Sequence, residues 1–125
     1  MRKQFIQQSD SQNRAKNFFN SITFNATLQI IVGQDSSNIL LLWQDEYYME
    51  AYLTVNNKPI KLSKVNTINF LKWLKNNNQE LQFLIHPVFG QECLALNSVE
   101  LSKEIIGKIE SDGDYYDILR KNDLL

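Results

Sequence analysis

One histidine and one cysteine are the side chains of this 125-residue chain best suited to covalent chemistry. His86 stands directly before Pro87, which favours an extended conformation at the end of a strand. Cys93 lies in an apolar, strand-like run, where a thiol is usually a small buried hydrophobe. The sequence places no activating group beside either residue. We therefore expect no catalytic residue, and an enzyme with a site near His86 is kept as an alternative.

The sequence contains few residues suited to binding a metal ion or a phosphate group. A structural zinc site usually needs four cysteine or histidine ligands, and the chain has one of each. Asp112, Asp114 and Asp117 match a calcium loop only in part, because the ligand spacing and the closing bidentate glutamate are missing. The glycines are too far apart in the sequence to form a phosphate-binding loop. The sequence predicts neither a metal nor a cofactor.

Charge is distributed unevenly along the chain. Every charged residue between Ala51 and Gln79 is a lysine, whereas residues 35–50 and 104–117 are mainly acidic. Tyrosine is enriched at interfaces, and complementary charge speeds and selects association. We predict an acidic, tyrosine-bearing surface that binds a basic protein partner, formed by Glu46, Glu50, Asp112, Asp114, Tyr115, Tyr116 and Asp117. The same pattern can serve solubility alone, and the lysine segment is an alternative interface.

The composition is that of one globular domain. Hydrophobic residues make up 43% and charged residues 22%, and the net charge is −1, a balance that favours neither nucleic-acid binding nor disorder. No apolar run is long enough for a membrane span. The basic amino terminus is followed by polar residues, whereas a signal peptide would need a long apolar stretch there. With one cysteine an intrachain disulfide is impossible, so we expect the cytoplasm. We expect a single domain, 1–125, with a flexible segment 1–9 and a tail at 111–125 that contains one further helical turn.

Hydrophobic periodicity predicts nine elements in the order α-β-β-α-β-α-β-β-α. The expected elements are a helix capped by Asp10 or Ser11, strands at 28–32 and 39–43, a helix at 45–55, a strand at 59–62, a helix at 64–75 capped by Ser63, strands at 81–85 and 92–96, and a helix opened by Asn97 and Glu100. This order predicts an α+β domain with a single, largely antiparallel mixed sheet that carries helices on its faces.

The same periodicity predicts the core. The residues expected to be mostly buried are Phe18, Phe19, Ile22, Leu41, Tyr52, Phe70, Leu74, Leu84, Leu94, Ile105 and Ile109. Trp73 falls at the edge of the apolar arc of its helix, about 60° from Phe70 at 100° per residue. Both packing against a neighbouring element and contact with a partner would explain this position.

Three segments carry a resemblance to a known family. They are residues 40–51, residues 60–62 with 69–74, and residues 84–87 with 94–101. The chain between 15 and 109 resembles a family of small bacterial proteins of unknown function, related in pattern to the amino-terminal domain of the serine-sensitivity-enhancing proteins. The family usually has a proline where this chain has Leu41. The resemblance implies an α+β fold and a small bacterial cytoplasmic protein, and it transfers no catalytic residue.

These observations favour a protein that acts by binding. The most concrete expectation is a non-catalytic immunity or antitoxin-type protein that neutralises a cognate toxin, with a basic toxin domain as the partner. We expect neither nucleic acid nor a membrane as a partner. The alternatives are a small regulatory or accessory domain, or an enzyme with a site near His86.

Overall fold

The computed structural model describes residues 10–24, 29–36, 38–56, 60–77, 80–112 and 116–124, without the side chains of 24, 56, 112 and 116–118. Its helices and strands, in chain order, are α1 (Ser11–Phe24), β1 (Gln29–Gln34), β2 (Ile39–Trp43), α2 (Glu46–Asn56), β3 (Lys61–Asn66), α3 (Thr67–Asn76), β4 (Gln82–Ile85), β5 (Leu94–Asn97), α4 (Ser98–Asp112) and α5 (Tyr116–Lys121). The α+β class is confirmed. The order is the predicted one with α5 added.

The strands form one mixed sheet in the order β3-β1-β2-β4-β5. β1 pairs antiparallel with both β2 and β3, and β4 pairs antiparallel with β5. The two antiparallel units meet where β2 runs parallel to β4. The prediction of a largely antiparallel mixed sheet is therefore confirmed.

Helices cover both faces of the sheet. The apolar run of β2 serves both, because successive side chains of a strand point to opposite faces. Leu40 and Leu42 join the main core with α1, α3, α4 and α5, whereas Leu41 and Trp43 join a second core under α2. A strand buried on both faces needs an uninterrupted apolar sequence, which is what β2 has.

Most of the predicted core is buried. The residues that are buried as expected are Phe18, Phe19, Ile22, Leu41, Phe70, Leu74, Ile105 and Ile109. Tyr52, Leu84 and Leu94 are only half-buried. Tyr52 and Leu84 belong to the smaller second core, and Leu94 lies on the edge strand β5. Fewer neighbours cover these three positions.

Two predicted helix starts are confirmed by their capping bonds. The Asp10 Oδ1 accepts a hydrogen bond of 2.8 Å from the Asn13 amide. At α4, the Glu100 amide donates to Asn97 Oδ1 over 2.8 Å, and the Asn97 amide donates to Glu100 Oε1 over 3.0 Å. This reciprocal pair is a capping box.

The predicted boundary between β3 and α3 is wrong. Ser63 was expected to cap the helix, but it lies within β3, and Asn66 caps α3 by accepting a hydrogen bond of 2.8 Å from the Asn69 amide. The pairing of β3 with β1 continues to Asn66. These ladder bonds extend the strand by four residues past the predicted end, a tertiary effect that local sequence does not show.

The segment predicted as a tail contributes to the core. α4 ends at Asp112, and α5 supplies Leu119, which is fully buried, while Leu124 is 9% exposed. The expectation of a flexible segment 1–9 lies outside the described residues. None of the described helices is long and apolar enough to cross a membrane.

Candidate functional site

The candidate binding site is a groove of about 560 Å³ between the main-core face of the sheet and helix α3. We call it the Trp73 groove. It is lined by the apolar side chains Val32, Leu40, Val65, Phe70 and Trp73 and by the polar side chains Gln34, Lys61, Ser63 and Asn69. The arrangement is a mainly apolar floor with polar groups that could orient a bound chain.

Strand register builds the floor of the groove. Gln34 is paired with Leu40 on one side and with Lys61 on the other, and Val32 is paired with Ser63. Side chains of directly paired residues point to the same face of a sheet. The β1–β2 hairpin and β3 therefore present these side chains together on the face that α3 partly covers.

Helix α3 supplies the aromatic wall. Phe70 and Trp73 are three residues apart and stack with ring centroids 6.1 Å apart and an angle of 20° between the rings. Both rings also meet Phe83 edge-on. Phe70 is 2% exposed, whereas Trp73 is 39% exposed. The indole of Trp73 is thus held by the core and still accessible from the groove.

The charge around the groove is positive. Lys61 is the one charged residue among the described residues that line it. Lys72 is exposed on α3 and lies about 60° from Asn69 at 100° per residue. Of the lysine-only segment singled out in the sequence, Lys61 and Lys72 are therefore placed at the Trp73 groove, whereas Lys64 pairs with Glu46 and Lys75 lines another depression.

The predicted acidic surface is described only in part. Glu46 and Glu50 are both exposed on α2, next to Tyr47, which is 38% exposed. Glu46 forms an ion pair with Lys64 of β3, so part of its charge is already balanced. The remaining predicted side chains lie outside the described ones; they are Asp112, Asp114, Tyr115, Tyr116 and Asp117. The structure brings Glu46 and Glu50 together but says nothing of their relation to the others.

His86 does not have the extended conformation that Pro87 was expected to impose. Its φ is +46°, in the left-handed region, and the residue is fully buried. The His86 amide donates to the Leu42 carbonyl over 2.8 Å, and the ring packs on Tyr48 with centroids 4.3 Å apart. The contacts of the next turn with the rest of the protein outweigh the local preference.

Arg14 fixes the turn that follows His86. This arginine is 1% exposed. Its guanidinium donates to the His86 carbonyl over 3.2 Å, to Gln91 Oε1 over 3.0 Å and to the Glu92 carbonyl. The Trp43 indole N–H donates to the Pro87 carbonyl over 3.1 Å. Sequence reasoning did not single out Arg14, although its position four residues before Phe18 puts it on the buried stripe of α1.

The chemistry available to this region is limited by burial. Both ring nitrogens of His86 are buried and lack a hydrogen-bond partner among the described residues. Burial, with a smaller contribution from the charge of Arg14, lowers the pKa of His86 to about 4. Burial also raises the pKa of the Cys93 thiol, against the opposite effect of Arg14. His86 is neutral at pH 7, and a substrate could reach its ring only if the turn opened.

Other sites in the described part of the chain are less well defined. A larger depression, of about 690 Å³, lies between α3 and α4, but it mixes Lys75, Lys103 and Glu80 and contains no aromatic residue. The described residues contain no group of three or more histidine, cysteine or acidic side chains placed to hold a metal ion. The Trp73 groove is the site that combines accessible aromatic surface with charge of one sign.

Comparison with known proteins gives no relative. No protein-family model, no curated protein and no solved structure matches this chain.

Proposed function

We propose that this protein is a non-catalytic protein-binding module, most concretely an immunity or antitoxin-type protein of the bacterial cytoplasm that neutralises a cognate toxin by binding it. The observation that carries the proposal is Trp73, which is 39% exposed in an apolar groove. Tryptophan is over-represented among the residues that dominate binding energy at interfaces, above all where a partner can desolvate it fully. Stacking on Phe70 holds the ring in place before a partner arrives, which lowers the entropic cost of binding.

Two surfaces of the module could meet the partner. The Trp73 groove joins apolar area to positive charge, whereas the α2 surface offers Glu46, Glu50 and Tyr47. The ion pair between Glu46 and Lys64 weakens the second choice, because a partner would have to compete with it. We assign the contact to the groove and keep the acidic surface as the alternative interface, which would suit a basic partner.

A capture experiment from the native host tests the proposal. Trp73→Ala and Lys61→Glu alter the groove, and the double charge reversal Glu46→Lys with Glu50→Lys alters the acidic surface. Val99→Ala is the matched control, because Val99 is 63% exposed and lies on α4, away from the groove. The partner captured by the native protein should be lost from both groove variants and kept by the control. When purified, it should have a toxic activity that the native protein inhibits in a one-to-one complex.

The variants also separate the two surfaces. Loss of capture by the double charge reversal alone would place the interface on α2. Equal capture by all variants would exclude both surfaces. Thermal melts of each variant must overlay the native curve for either conclusion to hold. A captured partner without toxic activity would leave the alternative of a regulatory or accessory domain.

The second candidate function is an enzyme with its site near His86. The observation in its favour is the strained backbone of His86, since such strain is concentrated at functional sites. Its full burial argues against it. Turnover of a small substrate by the purified protein, lost in His86→Asn with the fold intact, would favour this candidate.

A further inference from the structure

We infer that the Trp73 groove takes an extended, acidic segment of another protein, which adds to β3 as a further strand and places one large apolar side chain in the groove. This inference rests on the proposed binding function and names the chemistry of the partner.

The backbone that would receive the segment is the outer edge of β3. β3 is the first strand in the sheet order, and among the described strands it pairs with β1 alone. Lys61, Leu62, Ser63 and Lys64 are all exposed. An unpaired edge is a ready template for main-chain hydrogen bonds with an added strand. Six residues at about 3.3 Å each give an edge of roughly 20 Å.

The groove lies on the side of this edge where specificity can arise. Lys61, Ser63 and Val65 alternate along β3 and line the groove. An added strand would run about 4.8 Å from β3, so that every second side chain would point over the same face. Ser63 is the small residue in the middle of the three. It leaves space for a large side chain of the added strand to lie over β3 and enter the groove that Phe70 and Trp73 also line.

Charge selects the segment. Lys61 faces the groove, Lys72 lies beside it on α3, and no carboxylate is among the described residues that line it. Lysines on an edge strand oppose pairing with a neutral or basic strand, and they attract an acidic one. A second copy of β3 would bring lysines against lysines. The amino-terminal residues 1–9 include Arg2 and Lys3 and no acidic residue, so they are equally poor occupants.

A synthetic peptide tests the inference on the full chain. The probe is the nonapeptide Glu-Glu-Val-Thr-Phe-Thr-Val-Glu-Glu, titrated calorimetrically into the protein. Its control carries lysine in place of every glutamate. We expect saturable binding with a Kd below about 1 mM, at least tenfold weaker for the lysine peptide and at least tenfold weaker in Trp73→Ala. Val99→Ala should bind like the native protein.

Backbone methylation distinguishes strand addition from side-chain docking. Two further peptides carry N-methyl groups on the odd or on the even residues. Only one edge of an added strand faces β3, so one of these peptides should lose binding at least tenfold and the other should keep it. Equal binding of both methylated peptides, or of the acidic and lysine peptides, would overturn the inference.

The remaining outcomes are equally decisive. No saturable binding of the acidic peptide would overturn the inference, and so would a dimer in sedimentation that the peptide cannot dissociate, which would identify a second copy as the occupant. Capture of a natural partner that depends on Trp73, without peptide binding, would leave the proposed function standing and remove strand addition. If neither a Trp73-dependent partner nor the acidic peptide binds, the proposed function and the strand-addition inference are both overturned.

Discussion

At the scale of single residues, the conformation of His86 is held against its own preference. A non-glycine residue in the left-handed region costs about 1–3 kcal/mol, and Pro87 adds to the steric difficulty. Arg14 offsets this cost with hydrogen bonds to the His86 and Glu92 carbonyls, each charge-assisted and worth about 1.5–3 kcal/mol. The turn therefore depends on a residue more than seventy positions away in the sequence.

The buried His86 predicts a pH dependence of stability. In the folded protein its pKa is lowered from the ordinary value of 6.5 to about 4. Between these values the unfolded chain binds the proton and the folded protein does not, so the free energy of unfolding falls as the pH falls. At about 1.36 kcal/mol per pKa unit, the loss from this group is about 3 kcal/mol between pH 7 and pH 4.

Urea denaturation from pH 7 to pH 4 would measure this loss. His86→Asn is the control, because asparagine tolerates a positive φ and does not titrate. Carboxylates titrate in both proteins, so the prediction concerns the difference between the two curves. Parallel curves across the window would show that His86 is protonated as easily in the folded state as in the unfolded one.

Replacement by alanine should have opposite effects on stability at two of the glycines. A Cβ on Gly33 would lie 3.0 Å from Ile60 Cγ2 and 3.1 Å from Trp43 Cζ3, and Trp43 is fully buried. Gly33→Ala should therefore destabilise the protein by about 1–3 kcal/mol through overpacking. A Cβ on Gly107 would meet nothing within 4 Å. Because Gly107 lies within α4, Gly107→Ala should stabilise by about 0.5–1 kcal/mol.

The free energies of unfolding of the Gly33→Ala and Gly107→Ala variants are measured in one set of denaturant melts. A stable Gly33→Ala variant would mean that the ring of Trp43 can shift in its pocket. A destabilised Gly107→Ala variant would mean that the interior of α4 is not helical at that position.

At the scale of elements, α3 shows how much local sequence could predict. Phe70 and Leu74 are predicted to be buried from the apolar arc of the helix, and both are. The start of the helix is predicted wrongly, because Ser63 and Asn66 are both good capping residues. The choice between them is made by the ladder between β3 and β1, which the sequence of α3 does not contain.

Substitutions on the buried face of a helix should lower the stability of the protein more than substitutions on its exposed face. Leu74 on α3 is 4% exposed and belongs to the main core, so Leu74→Ala should destabilise by about 2–5 kcal/mol through cavity formation. The Glu46 side chain on α2 is 50% exposed in its ion pair with Lys64. Glu46→Ala should change stability by less than about 1 kcal/mol, as exposed ion pairs usually do. Equal losses in guanidinium melts would show that one helix face has been assigned wrongly.

At the scale of the whole molecule, the fold class could be predicted and the candidate site could not. Periodicity assigns each element from its own residues, and the α+β class follows from their order. The Trp73 groove needs Val32, Leu40, Lys61 and Trp73 together, from three strands and a helix. Their proximity depends on strand order and register, which no local pattern encodes. The local signals were present as an odd tryptophan and a lysine-only segment, but nothing in the sequence joined them.

The parallel pairing of β2 with β4 joins two antiparallel units of the sheet. On one side of it β4 and β5 are consecutive strands, and on the other β1 and β2 form a hairpin that β3 joins after α2. Pairing of β2 with β4 closes a long loop of chain, since α2, β3 and α3 lie between the two strands. Contacts so distant in sequence form late and slow the folding rate. A chain cut between α3 and β4 would separate the strands along this pairing, and reassembly of the two fragments would report on the β2–β4 pairing together with the packing of α1 and α3 against α4.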